Sequence, residues 1–148
     1  MEKEMSDRIK QKIEQTEEYL DEVVSIIPES LEEYEKSTTI KRACERYFQL
    51  VIECIIDLSF FIVVYRKLKQ PLNEDNVFDV LFKGDIISES LKNRLKNAKG
   101  MRNYVIHRYE EINDELVYNA ISEELGKDVR EFIERVTEVI DEKSENGE

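Results

Sequence analysis

The sequence predicts an all-α protein, an antiparallel bundle of four main helices plus a short one. Three observations carry this expectation. The 148 residues include only four glycines and two prolines, the residues that helix interiors exclude most strongly. Apolar residues recur in steps of three and four over long windows, with no strand-like alternation. The few capping and breaking residues fall between those windows.

Residues 5–27 place Ile9, Ile13, Leu20, Val23, Val24 and Ile27 at helical spacing, and Pro28 closes the helix. A shorter helical stretch, ESLEEYEK, follows. The strongest signal is Ile40, Cys44, Tyr47, Val51, Cys54, Leu58, Ile62 and Tyr65, which alternate steps of four and three. They predict one helix of about 28 residues with a continuous apolar seam. Arg66, Lys67 and Lys69 then sit at the negative end of its dipole, ahead of Pro71.

Asn73 is the expected cap of a short helix that buries Val77, Phe78, Leu81 and Phe82 and stops at Gly84. Asp85 is the expected cap of the next, with Ile86, Ile87, Leu91 and Leu95 inward and Gly100 near its end. Asn113 or Asp114 caps a last long helix, whose seam is Val117, Ile121, Leu125, Val129, Phe132, Val136 and Ile140. The whole of 1–148 reads as a single domain with a tail that frays from about residue 142.

The charge totals narrow the function classes. A net charge of −12 argues against a general nucleic-acid coat protein, because an acidic surface repels phosphate. Yet Lys92, Arg94, Lys96, Lys99, Arg102 and Arg108 fall between Ser90 and Tyr109 with no Asp or Glu among them. Such a strip is expected to hold a polyanion locally. Cys44 and Cys54 lie ten residues apart on one predicted helix, roughly 15 Å and beyond disulfide reach. Reduced, packed thiols suit a cytoplasmic protein. The N-terminus MEKEMSDRIKQK lacks an apolar signal region, and LSFFIVVY at 58–65 is too short to span a bilayer, so no membrane partner is expected.

Candidate chemistry concentrates in one place. One histidine and two distant cysteines cannot build a zinc site, and no glycine-rich phosphate loop or hydrolase serine motif is present, so neither metal nor cofactor is expected. Asp57 is unusual inside CIIDLSFF. It either points off the seam to a neighbouring helix or orients a catalytic cation across the bundle, and Arg46 earlier on the same helix is a supporting candidate of the same kind. The remaining stretch is MRNYVIHRYE, residues 101–110, which carries the lone histidine, His107. Arg102 and His107 are five apart, about 140° around a continuous helix. Bringing them together requires a break, expected after Gly100, with Val105 and Ile106 anchoring the segment in the core. Histidine and arginine together suffice to cut RNA without metal: a neutral imidazole takes the 2′-hydroxyl proton and a guanidinium holds the phosphate.

Arg102-Asn103, three residues, His107, Arg108, Tyr109 resembles the Arg-x4-His-x-Tyr signature of the HepT family, ribonuclease toxins of the HEPN superfamily. KRACERYFQLVIECIIDLSFFIV is similar to that family's long second helix, and QPLNEDNVFDVLFKGDIISESLKNRLKNAKGMRNYVIHRY to its following segments. The resemblance spans roughly residues 5–140. It implies a HEPN-like homodimer whose two motifs face each other across a cleft, with Arg102 and His107 as the ribonuclease residues. It implies a type VII-like toxin–antitoxin system acting on RNA, tRNA among the family's substrates. The implied partner is a minimal nucleotidyltransferase antitoxin that transfers AMP to the motif tyrosine, here Tyr109, and inactivates the toxin.

The residues fit beside that resemblance. A dimer supplies two histidines, one as base and one as acid, and AMP on Tyr109 would compete with substrate phosphate for Arg102. Asn103 either holds the turn or binds substrate, and Tyr104 is expected to pack. The alternative function is a non-catalytic HEPN-type binding or dimerisation module. The intact Arg/His pair favours cleavage; the net charge favours the module.

Overall fold

The computed structural model describes residues 2–108 and 111–145, and within them every regular element is helical. The chain forms α1 (Glu2–Ile26), α2 (Leu31–Lys36), α3 (Thr38–Tyr65), a 3-10 turn (Glu74–Asn76) running into α4 (Val77–Lys83), and α5 (Glu89–His107). It finishes with α6 (Asp114–Asn119), a π-helical turn (Ala120–Leu125) and α7 (Gly126–Glu145). The expected architecture is the observed one. Tail residues 146–148 lie outside the described residues.

α3 is the central element, packed against α1 along its length and against α2, α4 and α5 elsewhere. Its burial explains its composition. Phe48, Ile52, Ile55 and Val63 are interior in addition to Cys44, Val51, Cys54, Leu58, Ile62 and Tyr65 of the predicted seam. By length and hydropathy alone α3 could cross a membrane, but 56% of its apolar window is buried inside this fold. Cys44 and Cys54 are free and buried, and burial pushes the Cys44 thiol up to about 11.

Helix ends follow local chemistry. Ser30, Ser37, Ser88 and Asn113 each cap a helix with a side-chain oxygen that accepts a first-turn N–H. Asn73 does the same for the 3-10 turn. Ser88, not Asp85, caps α5. Asp85 instead occupies the left-handed position after α4 (φ 62°), with Ile86 N–H bonded to Leu81 O and Asp85 N–H to Phe82 O. That is the Schellman pattern, and aspartate is among the few non-glycine residues that tolerate it. Gly84 ends α4 at an ordinary φ of −84°.

The last long helix is not uniform. Val117, Ile121, Leu125 and Val129 are spaced four, four and four, which drifts about 120° around a regular α-helix. All four are nonetheless buried, because the wider π turn over 120–125 absorbs the drift.

Candidate active site

The site is built on α5. Its buried face is Leu91, Leu95, Lys99, Arg102 and Val105, a stripe that is apolar for its first half and cationic after that. Opposite the cationic half lies the turn Glu74–Asn76 and the start of α4. Three ion pairs join the two segments. Lys96 Nζ reaches Asp79 at 3.1 Å, Lys99 Nζ donates to Asp75 Oδ1, and Arg102 Nη2 donates to Glu74 Oε1 at 3.0 Å. Lys99 holds the Asp75 carboxyl below the usual carboxylate range through that hydrogen bond.

Arg102 is confined almost as closely as Lys99, which is 7% exposed. Arg102 itself is 9% exposed. A second carboxylate, Glu53 Oε1 from α3, lies 4.0 Å from its Nη1. Its Nε is buried with no hydrogen-bond partner among the described residues, an arrangement that leaves a donor unsatisfied and costs free energy. The guanidinium is thus held in place yet incompletely satisfied.

His107 ends α5 and is exposed. The expected break after Gly100 does not occur: α5 runs without interruption from Glu89 to His107. Gly100 lies on the solvent side with nothing near the position of a Cβ, so the helix simply passes through it. Arg102 and His107 therefore stay about 140° apart on one helix, the first turned into the bundle and the second outward. Val105 anchors this turn at 4% exposure, whereas Ile106, expected inward with it, is 39% exposed.

The segment after α5 is fastened at both ends. Arg108 N–H donates to Tyr104 O, and Asn113 N–H donates to the Tyr104 hydroxyl at 2.8 Å. Tyr104 thus packs, as expected, and also closes the loop. Lys41 of α3 pairs with Asp114 at 3.0 Å. Asn103 is half-buried. Tyr109 lies outside the described residues.

The two α3 candidates separate. Asp57 is exposed and pairs with Lys12 of α1 at 3.5 Å, and the carboxylate that approaches Arg102 is Glu53, one turn earlier on α3. Arg46 is also exposed. It stands seven residues before Glu53, nearly two turns, and so shares that side of α3. Along α3 it lies between Lys41, which pairs with Asp114, and Glu53, which approaches Arg102.

The basic strip is mostly neutralised from within. Arg94 Nη1 reaches Asp128 of α7 at 2.7 Å and its Nη2 reaches Glu131 at 3.0 Å. Arg108 lies 3.5 Å from Glu111, and Lys92 rests over the Phe82 ring at 4.6 Å. Glu53 and Glu74 were not singled out from sequence. The available signal for Glu53 was its place one turn before Asp57; for Glu74 there was none beyond its role beside a cap.

The chain's residues 16–136 match the family described as Ribonuclease HepT-like. A protein of Archaeoglobus fulgidus with a provisional RNase designation is 34% identical over 127 residues, covering 84% of this chain and 89% of its own. The tRNA nuclease HepT of Aphanizomenon flos-aquae is 29% identical over 104 residues, 70% of this chain and 71% of its own. Among solved structures, a tri-AMPylated HEPN toxin of Shewanella oneidensis in complex with its MNT antitoxin superposes with a TM-score of 0.80. It is 22% identical and covers 87% of this chain and 96% of its own. The helical bundle, the order of its elements and the extent of the match agree: the chain belongs to the HepT-like ribonuclease family.

Proposed function

We propose that this chain is the ribonuclease toxin of a toxin–antitoxin pair, cutting RNA without metal through His107 and Arg102. The observation that carries this reading is Arg102 itself. A nearly buried guanidinium with one unsatisfied donor shares a helix with a solvent-facing imidazole, in a member of a ribonuclease family. The neutral imidazole of His107 takes the proton of a ribose 2′-hydroxyl. The 2′-oxygen then bonds to phosphorus, the bond from phosphorus to the 5′-oxygen breaks, and that oxygen leaves with a proton from a second imidazolium. The products are a 2′,3′-cyclic phosphate and a 5′-hydroxyl. Arg102 stabilises the charge that develops on the non-bridging oxygens.

One chain supplies one histidine, and it faces away from Arg102. A homodimer that sets two α5 ends against each other supplies both the second imidazole and a guanidinium on the required side. In that cleft Arg46 of α3 is a supporting cation and Asn103 a substrate contact. The protein acts in the cytoplasm. The Shewanella complex pairs an AMPylated toxin with a nucleotidyltransferase antitoxin, which supports the same control here: AMP transferred to Tyr109 brings a phosphate to Arg102 or Arg108 and blocks substrate.

Induced expression tests the reading. Wild type arrests growth, His107→Ala does not, and the cognate nucleotidyltransferase restores growth while adding AMP mass increments to Tyr109. Equal arrest by His107→Ala refutes the catalytic assignment, and AMP found on Tyr104 or Tyr118 refutes the switch. The second reading, a non-catalytic dimerisation module, draws on the internal pairing of Arg102 with Glu74 and Glu53. It expects no RNA cleavage by wild type.

A further inference from the structure

Beside the ion-pair ladder, a groove of about 630 Å³ opens between the segment after α3, α4 and the first turn of α5. Leu68, Pro71 and Phe82 line it together with Lys69, Lys83 and Lys92. These three lysines differ from the rest of the cationic strip. Arg94, Lys96, Lys99 and Arg102 are all bound to carboxylates, whereas Lys69, Lys83 and Lys92 make no ion pair among the described residues. Asp79, the one acid of the lining, is committed to Lys96. The cleft therefore joins positive charge that no carboxylate neutralises to an apolar floor whose one aromatic ring, Phe82, lies under Lys92, on a chain whose net charge is −12. At its rim Leu72 is 93% exposed.

We infer that this groove is an RNA-binding exosite, holding a single-stranded stretch of substrate away from the scissile phosphate. The chemistry matches single strands in particular. Lysines track backbone phosphates, and every base has a face that the apolar surface of Leu68 and Pro71 accepts without reading sequence. Position favours RNA over an acidic protein segment, because Lys92 lies on the helix that carries the catalytic pair. Ten residues separate Lys92 from Arg102, about 15 Å along α5, a span of a few nucleotides. The paired cations between them offer no competing hold. The inference rests on the ribonuclease reading for the identity of its ligand.

Salt-dependent binding tests it. An unstructured, fluorescently labelled single-stranded RNA is titrated by anisotropy with the full-length His107→Ala chain, which binds without cutting. Each lysine–phosphate contact contributes about 0.7 to the slope of log K against log salt for single strands. Replacing Lys69, Lys83 and Lys92 together by Ala should flatten that slope by about 2 and weaken binding at low salt. Replacing Lys3, Lys10 and Lys127, which also lack ion pairs among the described residues, should leave the slope as it was. Circular dichroism verifies that both triple variants fold. An unchanged slope in the groove variant, an equal loss in the control, or no RNA binding by the parent overturns the exosite. Cleavage of the same RNA by wild type separates the two claims. Cutting with an unchanged slope removes the exosite alone; a flattened slope without cutting removes the ribonuclease reading alone.

Discussion

Arg102 cannot hold a substrate phosphate and Glu74 at full strength together, so replacing Glu74 by Gln should raise catalytic efficiency. At the 3.0 Å separation of Nη2 and Oε1, an effective dielectric near 20 gives a gross attraction of about 5 kcal/mol. Most of that is offset. The Glu74 side chain is 50% exposed, and a charge-assisted hydrogen bond nets about 1.5–3 kcal/mol even when protected. The competition is therefore worth about 1–2 kcal/mol, which corresponds to a rise in kcat/KM of about 5–30-fold. Glu53→Gln, at 4.0 Å, should give a smaller rise. Stability should move the other way, because the ladder loses a rung. The assay is initial-rate cleavage of one defined RNA by wild type and both variants, with melting curves alongside. A fall in kcat/KM for Glu74→Gln would refute the reasoning, since the carboxylate would then be holding Arg102 in its working position.

Other expectations follow from local physics. Gly100→Ala should raise stability by about 0.5–1 kcal/mol, seen as a higher melting temperature, and leave cleavage unaltered, since a Cβ there meets nothing. Burial holds the Glu45 carboxyl above its usual range despite Arg42. A raised carboxyl contributes stability that is full below the unfolded value and is lost as pH rises through the folded one. Glu45→Gln should therefore raise the melting temperature at neutral pH, with the gain vanishing in acid below the carboxylate range; a variant that is less stable at pH 7 contradicts this. Cys44 and Cys54 should react with a thiol reagent at pH 8 only on unfolding, given their burial and raised thiols. Fast labelling of the native chain would show that α3 opens.

What the sequence made legible was mainly what periodicity and capping encode. The alternating spacing from Ile40 to Tyr65 specified α3 because burial on several sides leaves few polar interruptions. Asn73 and Asn113 announced their turns because a side-chain oxygen there replaces missing backbone acceptors. The π turn was less legible, although the spacing four, four, four from Val117 to Val129 is its signature. Gly100 misled because glycine costs a helix only about 1 kcal/mol, less than the anchoring of Val105 and the three ion pairs along the same helix. The basic strip misled for a different reason. Lys96, Lys99 and Arg102 find their partners 17, 24 and 28 residues upstream, a pairing that no local pattern expresses. Asp57 stood out by its apolar neighbours, yet the carboxylate within reach of Arg102 is Glu53, one turn earlier along α3, and Asp57 pairs with Lys12 of α1.

Metal-free cleavage by single-site variants tests the central claim most directly. A defined RNA is incubated in EDTA with wild type, His107→Ala and Arg102→Ala, all verified as folded by circular dichroism, and the product ends are identified. Wild type should cut and leave a 2′,3′-cyclic phosphate, and each variant should lose about 10² or more in rate. Full activity in His107→Ala, or cleavage by wild type that EDTA abolishes, would contradict it.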